Sequence, residues 1–257
     1  MERLTGQRKG SALRLLCEAG ILVVAYLAYE AVRRLVAPNS QEAFGHAFNI
    51  IEFERQMGAF FEPALQSYIV DHDWLVTLAN WIYVWGYLPV ISAAGLYLYL
   101  RHHTSYTRYR NAFLLSGAIG LVIFATMPVA PPRMLPELGF VDTVRTNSAI
   151  YSQFEGSDLI NEFAAVPSFH FGWILLVGLA VFQTNRHPLI RALAILMPVL
   201  MLLSILLTAN HYWIDAVIGG ALALAALGIV ELFDSSFVAS ARTRLLRRAA
   251  PERTRLR

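Results

Sequence analysis

The chain has 257 residues, 56% of them hydrophobic and 15% charged, with a mean hydropathy of +0.49. A soluble domain carries about 25% charge, so this composition excludes an ordinary soluble globule and points to a membrane protein. The net charge of +3 is modest and almost wholly arginine, with Lys9 the only lysine, which gives no sign of a nucleic-acid partner; the single cysteine, Cys17, excludes an intrachain disulfide.

Residues 1–14 carry Arg3, Arg8, Lys9 and Arg14 and precede a first apolar run, 15–36. That run is long, contains Glu18 and Glu30, and lacks a clear cleavage site, so it reads as a retained span rather than a signal peptide. Residues 37–73 follow as an amphipathic loop. There Phe48, Ile51, Phe53, Met57, Phe60 and Phe61 mix with Glu52, Glu54, Arg55 and Glu62 at roughly helical spacing. Such a segment lies at a membrane interface or caps the helix bundle. Further apolar runs at 74–100, 112–127, 169–182, 193–208 and 212–233 bring the predicted spans to six, each needing about 20 residues to cross a bilayer. Residues 234–257 form a basic tail. The expected architecture is one all-α, polytopic membrane domain over 1–257.

Arginine placement orients it. The N-terminal segment, the loop "RHHTSYTRYR", the loop "NRHPLIR" and the tail alternate with the two long, carboxylate-containing loops; Arg33 and Arg34 are the main exception. The positive-inside rule makes the arginine side cytoplasmic. Both termini are then cytoplasmic, and the long loops, including 37–73, lie on the outer face of the cell membrane.

Three polar clusters fall on that outer face. "MPVAPPRML" (127–135) uses three prolines to end a helix and present Arg133 on an extended loop. "NEFAAVPSFHFGW" (161–173) places Pro167 near a helix start with His170 one turn in, and "ANHYWIDAV" opens the last span with His211 and Asp215 four residues apart, on one helix face. A neutral histidine attacks phosphorus as a nucleophile, and a carboxylate on its other nitrogen fixes tautomer and orientation; His211 and Asp215 suit those roles. A second histidine, His170, is placed to protonate a leaving alkoxide. Arg133 binds phosphate oxygens bidentately, and Ser168 with the N–H groups of its helix start adds anion donors. His102, His103 and His187 read as interfacial residues, and His46 and His72 give no pairing signal. No third ligand stands at a metal-site spacing, so neither metal nor other cofactor is expected.

At these residues the sequence resembles the type 2 phosphatidic acid phosphatase superfamily, and within it the branch containing fungal inositol phosphorylceramide synthase. "AAVPSFH" is similar to that branch's "PSLH" block, "HYWIDAVIGG" to its "HYxxD" block, and "APPRML" to the Arg-containing first motif. The resemblance implies His211 as the phosphoryl-accepting nucleophile, Asp215 as its partner, His170 as general acid and Arg133 as phosphate ligand. The chain departs from the superfamily pattern at Thr126, where a lysine is usual, at Met134, where a proline is, and at Ile205, where an arginine follows the matching Ser204. Arg145 in the outer loop is the candidate replacement for that missing positive charge. The implied activity is phosphotransfer on a phosphorylated lipid, to a lipid or sugar acceptor, through a phosphohistidine. Transfer to water would instead make it a simple lipid phosphate phosphatase. A transporter or inactive scaffold is the alternative from another class, but the polar clusters sit at span ends rather than at midplane, and no internal repeat is evident.

Overall fold

The computed structural model describes residues 2–35, 39–147 and 162–249. They are helical apart from turns and loops, and the one β-type pairing among them is an isolated bridge between Val129 and Ala164. The helices are α1 (Glu2–Leu35), α2 (Ser40–Gln56), α3 (Glu62–Val70), α4 (Asp73–Trp85), α5 (Leu88–Arg101), α6 (His103–Thr126), the short α7 (Thr143–Asn147), α8 (Phe169–Thr184), α9 (Pro188–Leu207) and α10 (Trp213–Ala249). Residues 148–161, between α7 and α8, and 250–257 of the basic tail lie outside the described residues.

Over their described residues the six predicted apolar runs are mainly helical. Among the described residues four helices are long and apolar enough to cross a membrane: Leu15–Val32 within α1, α6, α9, and Trp213–Ser235 within α10. A fifth crossing is available if α4 and α5 count as one broken span, bent by 43°. The sixth region, α8, is apolar but only 16 residues long. The predicted 74–100 span breaks at Pro89 near the start of α5, which has no N–H to donate to the preceding turn. Aliphatic side chains such as Val23, Val24 and Leu27 on α1 and Leu193, Ile195 and Leu196 on α9 are exposed, the surface a hydrocarbon solvent matches.

One expectation needs correction. The arginine-rich stretch 101–110 is not a loop: all but its first two residues belong to α6. Pairing makes this tolerable, since Arg110 meets Glu18 of α1 and Arg108 meets Glu231 of α10. The described part of segment 37–73, residues 39–73, carries α2, α3 and the first residue of α4. The inward stripe of α2 is Ala43, Ala47, Ile51 and Glu54, whereas Phe48 and Phe53 are about half exposed. A carboxylate thus points into the protein, and two of the aromatic residues point out.

The central helices pack through small residues. A methyl on Gly172 of α8 would lie 2.4 Å from the Gly219 carbonyl of α10, and one on Gly219 would lie 2.2 Å from the Ser168 carbonyl. Only glycine permits that backbone approach. Gly178 similarly admits the Ala194 carbonyl of α9. Pro198, four residues on, cannot donate to that carbonyl. The starts of α8 and α10 are thereby pressed together at one end of the bundle. Above them α2, the proline-rich loop and the α9–α10 turn share a separate core of Ala43, Ala47, Ile51, Leu135, Val166 and Tyr212, among others.

Candidate active site

The chain between α6 and α7 first pairs with the segment before α8. Val129 N–H donates to the Phe163 carbonyl and Ala165 N–H to the Val129 carbonyl. Two 3₁₀ turns, Pro132–Met134 and Pro136–Leu138, then carry the chain over the α9–α10 turn. Arg133 N–H donates to the Ala209 carbonyl at 2.8 Å. Its buried guanidinium donates from Nη1 to Asn210 Oδ1 at 2.8 Å and faces Asp142 Oδ2 from Nε at 3.5 Å. Asn210 is itself held by Thr208 Oγ1 at 2.8 Å. Asn210 and Asp142 thus both hold the guanidinium.

His211 lies in the turn between two spans, almost wholly buried. Its Nδ1 is 2.9 Å from the Ala165 carbonyl and 3.3 Å from Asp215 Oδ2. A carbonyl oxygen only accepts, so Nδ1 carries the hydrogen, and in the neutral ring Nε2 carries the lone pair. Burial, with the nearby Arg133 charge adding to it, pushes the imidazole down to about 3, against the opposing pull of the Ala165 carbonyl. The ring is neutral at physiological pH. Asp215 also serves the backbone, since its Oδ2 accepts the Tyr212 N–H at 2.9 Å. That is half of a capping box at the start of α10. The orienting role expected of Asp215 alone is thus shared with a backbone carbonyl.

His170, in the first turn of α8, stacks against Tyr83 at 4.4 Å and Tyr87 at 4.1 Å between ring centroids. These tyrosines flank the α4–α5 break, so the kink delivers them to the histidine. The His170 and His211 rings are 5.7 Å apart. Ser168 caps α8, its hydroxyl accepting the Phe171 N–H at 3.4 Å, and its own N–H donates to the Asp215 carbonyl at 3.0 Å.

The structure therefore brings together Arg133, Ser168, His170, His211 and Asp215. Arg145 stands one step out: it is exposed, and its backbone N–H donates to Asp142, the carboxylate facing Arg133. Sequence reasoning missed Asn210, Ala165, Tyr83 and Tyr87. Asn210 adjoins His211 in an apolar stretch and could have been suspected; a backbone carbonyl leaves no sequence signal. His46, given no partner in the sequence reading, contacts the Pro128 carbonyl through Nδ1 at 2.8 Å and ties α2 to the proline loop. Among the described residues no group of three or more His, Cys, Asp or Glu is arranged to hold a metal ion.

No curated protein and no solved structure matches this chain. The family model of the PAP2 superfamily matches residues 49–229, more than half of it, from within α2 to within α10. That stretch contains all three polar clusters that the helices bring to one end of the bundle, and on this match the chain belongs to the PAP2 superfamily.

Proposed function

We propose that this protein is a membrane phosphotransferase acting on a phosphorylated lipid at the outer face, through a phosphohistidine at His211 Nε2. Membership of a family of phosphatases and phosphotransferases supports an enzyme on phosphorylated substrates. The observation that carries the rest is the Ala165 carbonyl on His211 Nδ1, which leaves the Nε2 lone pair for attack. In the first step that lone pair forms a bond to phosphorus and the P–O bond to the leaving alkoxide breaks. His170 gives the alkoxide its proton, and Asp215 supports the positive charge on the substituted ring. In the second step a hydroxyl attacks phosphorus, His170 takes its proton, and the P–N bond breaks. Arg133 and the N–H groups at the start of α8 hold the phosphoryl oxygens, with Ser168 Oγ beside them; Arg145 adds positive charge at the approach.

Burial of both His211 and Arg133 limits water at the reacting centre, which favours a lipid or sugar hydroxyl over water as acceptor and agrees with the inositol phosphotransferase resemblance. Hydrolysis of a lipid phosphate is the second reading, since only the acceptor differs. The test uses purified protein in detergent micelles with phosphatidylinositol plus a lipid alcohol, and separately with dioctanoyl phosphatidate, His211→Ala being the control. Phosphoinositol transfer supports the first reading, and phosphate release alone supports the second. No turnover above the control on either probe contradicts both.

Six spans with cytoplasmic termini put the site outside. With Cys17 replaced, a cysteine at Asp71 would react with an impermeant thiol reagent in intact cells, and one at Thr104 only after permeabilisation. The reverse pattern contradicts the outer-face assignment.

A further inference from the structure

Behind the nucleophile lies a group of carboxyls to which the two transfer steps give no role beyond that of Asp215. Glu54 on α2, Glu62 on α3 and Asp215 on α10 are each 0% exposed. Glu62 is tied to the backbone on both sides: Oε1 accepts the Trp213 N–H at 3.1 Å and Oε2 the Phe61 N–H at 3.0 Å. It thus fastens the outer helices to the first turn of α10, two residues after His211. Glu54 differs. Its oxygens make no close hydrogen bond of normal geometry, their polar neighbours being the Glu62 carboxyl and the Ile214 backbone, and Asp215 Oδ1 likewise makes none.

Three carboxylates closed off from water cannot all be charged without several kcal/mol of desolvation and repulsion, on the order of that for any unpaired buried ion. The group resolves this with a proton. Burial, reinforced by the Glu62 charge and more weakly by Asp215, pushes Glu54 up to about 9. At neutral pH Glu54 is a carboxylic acid whose O–H has the Glu62 carboxylate beside it. Glu62, Asp215 and the Tyr212 hydroxyl are the titratable groups facing it from the packed elements. As mere filling, a buried acid is inferior to methionine, which occupies similar volume with no polar atoms to desolvate.

We propose that Glu54 and Glu62 are positioning residues for the His211–Asp215 pair, coupled through one proton held on Glu54 that fixes the outer helices against the start of α10. The proposal rests on the catalytic reading above. Ionising Glu54 would add a buried charge facing Asp215 and push α2 away from the turn that carries His211. The activity of the protein would then fall on the alkaline side with a group that never touches substrate.

The test compares wild type with Glu54→Gln and Glu54→Met in detergent micelles, with thermal unfolding as one readout and turnover of dioctanoyl phosphatidate and p-nitrophenyl phosphate as the other, both across pH 5 to 10. Glutamine mimics the neutral acid. It should retain turnover at pH 7 and lose the alkaline decline that wild type shows near pH 9. Methionine should melt no lower than wild type yet lose about tenfold in kcat, a fraction of the roughly 10²-fold that a 1 Å misplacement of reacting groups costs, with little change in KM. The folded-state value lies above the ordinary 4.5, so wild type should lose melting temperature relative to Glu54→Gln as pH rises from about 4.5 to about 9, and the difference should then level off. An alkaline midpoint unchanged in Glu54→Gln, or full turnover in Glu54→Met, would overturn the coupling. If wild type turns over neither probe, the catalytic reading fails for those probes; the melting comparison still decides, and a pH-independent difference there would overturn the proton on Glu54.

Discussion

Asp215→Asn is the substitution whose size the geometry sets most closely. Asp215 Oδ2 receives the Tyr212 N–H at 2.9 Å and touches His211 Nδ1 at 3.3 Å, while Oδ1 has no partner. Asparagine can place its carbonyl oxygen at the Oδ2 position and its NH₂ where Oδ1 stood, facing no donor. The half capping box and the fold should survive. What is lost is the negative charge beside the imidazolium-like ring of the transition state. Where a carboxylate alone holds the histidine tautomer, this change costs about 10⁴-fold. Here the Ala165 carbonyl holds the Nδ1 hydrogen independently, at 2.9 Å. The expected loss is therefore one charge-assisted interaction, about 1.5–3 kcal/mol, or roughly 10- to 150-fold in kcat, with KM nearly unchanged. Asp215→Ala should lose that and also about 1 kcal/mol of stability from the uncapped Tyr212 N–H. Steady-state kinetics on dioctanoyl phosphatidate and thermal melting of both variants check this. A loss near 10⁴-fold in Asp215→Asn would show that Ala165 does not hold the tautomer, and no loss would show that the carboxylate has no part in turnover.

Gly219→Ala should cost about 1–3 kcal/mol by overpacking, because its methyl would meet the Ser168 carbonyl at 2.2 Å; Gly95→Ala, with nothing within 4 Å, should raise the melting temperature slightly, as alanine favours a helix interior by about 1 kcal/mol. His170→Ala should reduce turnover of an alkyl phosphate ester by about 10²- to 10⁴-fold but spare p-nitrophenyl phosphate, whose leaving group needs little protonation; equal losses would make His170 a phosphate-positioning group. Arg133→Lys keeps the charge but loses the fork that meets both Asn210 and phosphate, so kcat/KM should fall by about 10- to 100-fold. His211 in the folded state sits at about 3, below the ordinary 6.5, so its lone pair is available at every pH above about 4. Since the unfolded chain takes up that proton first, stability should fall as pH drops from about 6.5 toward 3. His211→Ala should lessen that acid-side loss, as read by melting curves.

The site was legible where spacing and hydropathy speak. His211 and Asp215 share a helix face by their separation, and the return path of two spans places His170 and His211 at one depth. Arg133 followed from prolines that end a helix. What failed was a rule that carboxylates face water: Glu54 and Glu62 look like the solvated side of an amphipathic helix, yet both are buried where they face the first turn of α10. The arginines of 101–110 looked like a loop until Glu18 and Glu231, far apart in sequence, supplied partners. Backbone groups such as the Ala165 carbonyl, and the tyrosines brought in by the Pro89 break, depend on tertiary geometry that no local pattern encodes.

The central claim is a covalent phosphorus–nitrogen bond at His211. Wild-type protein should be mixed with a phosphorylated lipid probe and quenched in alkali within a single turnover, since phosphohistidine survives base and is lost in acid. Peptide mass spectrometry should then find the phosphorus-containing adduct on His211, forming and decaying at rates consistent with kcat, and none in His211→Ala. An adduct on another residue, or turnover with no adduct at His211 at any time, would contradict the claim.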